Sequence, residues 1–132
     1  MVMPPAVIIH GIDDLRLVLA AKQACTILSA RHAASYGGCL WWQSLLGHAP
    51  AGQIHYLDCG DEAGRALEAL QLGLPGLVLD EANPAFALVA ELAARQGADL
   101  CRERPRVLDL ATPNAAWHLN AWLAGDIGKA SR

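Results

Sequence analysis

The sequence predicts an α/β domain built on a mainly parallel sheet, and three observations carry that expectation. Short apolar runs recur along the chain and alternate with stretches of helical periodicity. The runs are apolar throughout, as strands covered on both faces are, and do not alternate with polar residues. The third observation is length. The 132 residues make one domain, taken as 1–132, and fall short of the roughly 250 that a closed eightfold β/α barrel needs.

The elements follow in order. Residues 6–9 (Ala-Val-Ile-Ile) form a first strand that ends at His10-Gly11. Behind it Ile12, Leu15 and Leu19, with Val18 on the flank, fall at helical spacing. Asp13 and Asp14 occupy the first turn, where the helix dipole favours acids. Residues 25–28 form a second strand ending at Ser29, and residues 32–47 read as a helix weakened by Gly37 and Gly38. After a loop over 48–53, residues 54–57 form a third strand ending at Asp58, Cys59 and Gly60. Asp61 is the expected cap of a helix with Ala63, Ala66, Leu67 and Leu70 on one face.

Residues 77–79 form a fourth strand ending at Asp80. Asn83-Pro84 is a helix-start signature, and that helix runs to about Gln96 with Gly97 as its stop. Residues 98–101 and 107–110 are two further extended runs. Thr112-Pro113 repeats the start signature, and a C-terminal helix carries Trp117, Ala121 and Ala124, with Trp122 and Leu123 beside them. A polar tail over 129–132 closes the chain.

This β-α-β-α-β-α-β-α-β order, with right-handed crossovers and a last helix, predicts a three-layer sandwich. Its sheet is expected to be mainly parallel and five-stranded, flavodoxin-like or Rossmann-like. A weak internal repeat agrees. Leu57-Asp58, Leu79-Asp80 and Leu108-Asp109 each close an apolar run a few residues ahead of a helix. The unequal spacing marks shared loop chemistry, not a solenoid.

Composition excludes several classes. Apolar residues make up 54% of the chain and charged residues 17%, so it is not a disordered linker. Ten basic against thirteen acidic residues, a net charge of −3, argue against a nucleic-acid binder. The start of the sequence has no basic region of the kind a targeting peptide carries, and no run approaches a membrane span. Four scattered cysteines without a C-x-x-C pair read as reduced thiols in a cytoplasmic protein.

Dedicated motifs are absent too. No G-x-G-x-x-G, G-x-x-x-x-G-K-[ST] or G-x-S-x-G occurs, so no nucleotide, phosphate-loop or hydrolase signature is present and no cofactor is expected. Lys22 and Lys129 are the only lysines. The five histidines show neither H-x-x-x-H nor cysteine at zinc spacing, so no metal site is expected. The cluster Arg102-Glu-Arg-Pro-Arg106 is short, interrupted by an acid, and reads as a solvated turn.

Ligands of open parallel sheets bind outside the carboxyl ends of the strands. There the sequence places His10, Arg31, His32, Asp58, Asp80 and Asp109. Each Asp has a plain structural reading, as an acceptor for loop N–H groups, and His10 has one as a satisfied strand-end residue. In a functional reading His10 is the general acid or base and Asp58 or Asp80 orients it. Arg31, His32 and Asp109 then bind a small anionic ligand. Cys59, set between Asp58 and Asp61, reads as a packing residue, because neighbouring carboxylates oppose a thiolate.

The segment from Glu62 to Pro84, through Ala66-Leu67, Leu74-Pro75, the run 77–80 and Pro84, resembles the helix-strand-aspartate segment of two-component receiver domains. That family phosphorylates a strand-end aspartate, helped by an acidic pair after the first strand and a lysine after the last. Matching Asp80 puts Ala34, Ser35 and Tyr36 where the pair belongs, and no lysine follows the last strand. Matching Asp58 brings in Asp13 and Asp14, which lie inside a helix. The resemblance implies shared βα geometry without the phosphotransfer set.

Two functions stand open. One is a self-associating module that binds a partner or a small ligand. The other is a small acid-base enzyme of lyase, hydratase or isomerase type. An alanine-rich, charge-poor surface favours a homo-oligomer, most simply a dimer, with Trp41 or Trp42 at the interface. The last helix, with Trp117 and Trp122, is the competing surface.

Overall fold

The computed structural model describes residues 3–125. The chain runs β1 (Ala6–Ile8), α1 (Ile12–Ala20), β2 (Thr26–Leu28), α2 (Ala33–Tyr36), α3 (Cys39–Leu46), β3 (Ile54–Asp58) and α4 (Ala63–Gln71). It continues β4 (Gly76–Val78), α5 (Phe86–Arg95), β5 (Asp99–Cys101), β6 (Val107–Asp109) and α6 (Ala115–Leu123). The expected tail at 129–132 lies outside the described residues. No helix among them is long and apolar enough to cross a membrane.

The class is the expected one: an α/β fold on a parallel sheet, with a C-terminal helix. The sheet holds six strands, not five, in the order β5-β4-β3-β2-β1-β6. The extra strand arises because residues 102–106 join β5 to β6 with no helix between them. All pairings are parallel, with Ile8 opposite Leu28 on one side of β1 and Asp109 on the other.

Strand pleating sends alternate residues to opposite faces. On one face Val7, Ile27, Leu57, Leu77 and Leu108 meet the buried sides of all six helices in the main core. On the other, Ile8, Leu28, Tyr56 and Val78 form a smaller cluster with Met3, Ala30, Cys101 and Val107, to which no helix contributes. The outer layers are thus unequal. A helical layer covers one face and extended chain the other.

The β5–β6 connection shapes the sheet. The six peptide steps from Cys101 to Val107 reach at most about 22 Å. The edges of a flat six-stranded sheet lie about 24 Å apart, and the chain must also return to the amino end of β6. The sheet therefore coils around its helix-free face, and residues 102–106 strap across the hollow of the curl.

Local departures from expectation have visible causes. The helix expected over 32–47 breaks at Gly37 and Gly38, where the Trp41 ring packs so closely that a Cβ on Gly37 would lie 2.8 Å from it. Asp61 does not cap α4, whose first turn follows Glu62 with no side-chain cap. On α6 the buried face is Ala115, Leu119, Trp122 and Leu123, while Trp117 is 86% exposed. Trp122 is fixed there because its indole N–H donates to the Ala6 carbonyl at 2.8 Å.

Candidate functional site

The three Leu-Asp strand ends share one geometry. Each aspartate turns its Oδ1 back to accept the N–H two residues on: Asp58 from Gly60 at 2.8 Å, Asp80 from Ala82 at 2.9 Å, Asp109 from Ala111 at 2.9 Å. These Asx-type turns stop each strand at the carboxyl edge of the sheet. The second partners then distinguish the three residues.

Asp58 is the most enclosed. Its Oδ1 also accepts the His32 N–H at 3.1 Å, its own N–H donates to Ser29 Oγ at 2.8 Å, and its Oδ2 receives Nη1 of Arg104 from the strap. The Asp58 and Arg104 side chains are 4% and 10% exposed, so this ion pair is withdrawn from water. Arg104 also reaches the Ser29 carbonyl at 3.4 Å, tying the strap to the ends of β2 and β3 together.

His32 completes this corner in a left-handed conformation, φ 59°, which is uncommon for a side chain with a Cβ. Its ring lies over Gly60, itself at φ 59°, and a Cβ there would sit 1.9 Å from His32 Nδ1. Only glycine satisfies both the turn and the approach of the ring.

Between these groups opens a cleft of about 400 Å³. Arg31 and His32 form one wall, Asp61 and Asp80 another, and Arg102 and Arg104 overhang it from the strap. Formal charges balance, three arginines against Asp58, Asp61 and Asp80. They are not equally committed. Arg104 is paired with Asp58, and Arg102 lies 3.3 Å from Glu81 at the surface. Arg31 is exposed and has no hydrogen-bond or ion-pair partner among the described residues.

A second hollow, of about 540 Å³, lies across the strap, with Ile8, Ala30 and Val107 as its floor. Arg31 and Arg104 line both hollows, and Asp109 lines the second. His10 lines neither of them. Its Nε2 meets Asp109 Oδ1 at 2.6 Å and its backbone N–H donates to Asp14 Oδ2 at 2.8 Å. The pair stands on the β1–β6 border, where the sheet order leaves the chain order.

The fold thus brings Arg31, His32, Asp58 and Asp80 to one cleft and pairs His10 with Asp109. The expected orientation of His10 by Asp58 or Asp80 is not formed, because β1 and β3 are separated by β2 and Asp109 is the acid in register beside β1. Arg104, read from sequence as part of a solvated turn, is the site residue that sequence reasoning missed. The available signal was spacing, since five residues between two parallel strands leave no room for a helix and force the chain across the sheet.

Cys59 is buried, and its thiol is pushed up to about 12 by burial first, then by Cys39, Asp58 and Glu62. That suits packing and opposes nucleophilic use. All four cysteines are free thiols. No group of three metal-ligating side chains occurs among the described residues. No protein-family model, curated protein or solved structure matches the chain.

Proposed function

We propose that this chain is a self-associating binding module whose carboxyl-edge cleft takes a small anion. The observation that carries the reading is Arg31, a guanidinium with no partner among the described residues, at the mouth of a cleft beside the buried Asp58–Arg104 pair. A free guanidinium offers a planar fork for a carboxylate or phosphate. Asp80, whose Oδ2 has no hydrogen-bond partner among the described residues, supplies an acceptor for a hydroxyl on the same ligand. Calorimetric titration with glycerol phosphate and with malate tests this. Binding that Arg31→Ala abolishes is expected. Heat-silent titrations with both at millimolar concentration, or binding indifferent to Arg31→Ala, would overturn it.

Self-association would use α6. Trp42 is fully buried in the monomer's own core and is spent there, whereas Trp117 stands in solvent. The free thiols support a reducing, cytoplasmic setting.

The 2.6 Å His10–Asp109 contact favours a second reading, acid-base catalysis. With Nε2–H given to Asp109, Nδ1 is left as the base. Dehydration assays on 2- and 3-hydroxy acids test it, and turnover that survives His10→Gln would end it.

A further inference from the structure

The two hollows at the carboxyl edge open on one side of the sheet. Leu57, Leu79 and Leu108, the residues just before Asp58, Asp80 and Asp109, all lie in the helix-side core. Pleating therefore puts the three aspartates on the helix-free side, with Ile8, Val78 and Val107. The cleft and the second hollow also share the side chains of Arg31 and Arg104, and so meet along them. Arg104, tied to Asp58 and to the Ser29 carbonyl, is the fixed part of that border. Arg31, which is exposed, is the part able to turn to a ligand.

The two sides of the border differ in chemistry. The cleft side is polar, with Asp61 and Asp80. The other side has an apolar floor of Ile8, Ala30 and Val107, and its one acid, Asp109, is engaged with His10. An anion on Arg31 thus has a carboxylate acceptor on one flank and hydrocarbon on the other. The second hollow, at about 540 Å³, has room for more than a phenyl ring.

Charge narrows the ligand further. Of the arginines lining the two hollows, Arg104 is paired with Asp58 and Arg102 with Glu81. Arg31 is left to face Asp61 and Asp80. A second negative charge on the ligand would meet these carboxylates and no further uncommitted arginine, so a monoanion fits better than a dianion.

Resting on the reading of the carboxyl edge as an anion site, we propose that its ligand is a 2-hydroxy monocarboxylic acid with an apolar side chain about the size of a ring. The carboxylate lies on Arg31, the hydroxyl donates to Asp80, and the side chain covers Ile8, Ala30 and Val107 in the second hollow. A 2-hydroxy acid sends these three groups out from one carbon, which suits three partners arranged around one guanidinium.

Lactate and phenyllactate are the probes, alike in head group and charge and different by a phenyl ring. The companion 3-phenylpropanoate keeps the ring and lacks the hydroxyl. Calorimetric titration reads all three beside malate. Phenyllactate is expected to bind about tenfold tighter than lactate, the gain from partly withdrawing a ring from water. It should also bind several-fold tighter than malate or 3-phenylpropanoate. Ala30→Leu fills the floor and should bring the lactate and phenyllactate affinities together. Val107→Thr keeps the branched shape that suits a strand, sets a hydroxyl into the floor and should cut the difference about threefold. Binding of malate and glycerol phosphate, with phenyllactate no tighter than lactate, would overturn this proposal and leave the anion site standing. Absence of binding by every one of these acids would overturn both. A preference for phenyllactate that survives both variants would overturn the proposal too, by placing the ring elsewhere.

Discussion

The guanidinium of Arg104, midway along the strap, closes on the carboxylate of Asp58 at the end of β3. Asp58 ends β3 and Arg104 lies in the helix-free connection between β5 and β6, so this contact fixes the strap over the hollow of the curl. Breaking one half of such a withdrawn pair leaves the other charge buried. Arg104→Ala is expected to cost about 3 kcal/mol in urea denaturation. A loss under about 1 kcal/mol, the range of surface pairs, would mean that the strap is held by something else.

Anion binding should separate Arg31 from His10. Arg31→Ala removes the guanidinium at the mouth of the cleft and should eliminate binding of glycerol phosphate or malate with little change in thermal stability, since the residue is exposed. His10→Ala should leave that binding in place, because His10 is engaged with Asp109 and does not line the cleft. Equal loss in both variants would place the anion at the β1–β6 border.

His55 makes stability depend on pH. Its folded value is lowered by burial to about 4, against an ordinary 6.5. Between those values the unfolded chain binds the proton and the folded chain does not. The stabilisation is fully present above about pH 6.5 and declines as pH falls toward 4. Thermal melts across this window should show a falling Tm, and His55→Gln should flatten the slope. An identical slope in the variant would assign the effect to carboxylates.

Two glycine substitutions should have opposite signs. Gly76→Ala pushes a methyl into the Tyr56 ring and the His55 carbonyl and should destabilise by about 2 kcal/mol or more. Gly64→Ala, inside α4 with nothing within 4 Å of the new Cβ, should stabilise by roughly 0.5–1 kcal/mol. Chemical denaturation of both reads the contrast. A Gly76→Ala protein as stable as the parent would mean that Tyr56 does not lie across β4.

Light scattering at micromolar concentration tests self-association. A dimer is expected, and Trp117→Ala should shift it to a 14.0 kDa species. A monomer in the parent protein would remove self-association, and a dimer untouched by Trp117→Ala would move the interface away from α6.

Much of this architecture was readable because it is local. Apolar runs gave five of the strands as expected elements of one sheet, and the Leu-Asp repeat foreshadowed three identical Asx turns. The Asn83 signature holds as well, its side chain accepting the Ala85 N–H at 2.8 Å, although regular helix begins only at Phe86. What escaped depends on non-local pairing. Nothing near His10 in sequence names Asp109 as its partner, because that follows from β6 lying beside β1. Nothing near Arg104 distinguishes it from Arg102 and Arg106, because its burial is set by where the strap crosses. Trp117 and Trp122 differ in exposure through the rotation of α6, which the Ala6 carbonyl fixes from the far end of the chain.

The position of β6 also sets an order of events during synthesis. β1 emerges first and acquires β2 soon after, but its other edge pairs with Val107–Asp109, about a hundred residues later. Until then a strand that ends up paired on both sides behaves as an open edge, able to template another chain. A nascent chain halted before residue 107 would keep that edge bare together with the surface that Trp122 covers. Stalled or truncated products of this sequence should therefore aggregate or recruit chaperones, whereas truncation after α6 should not.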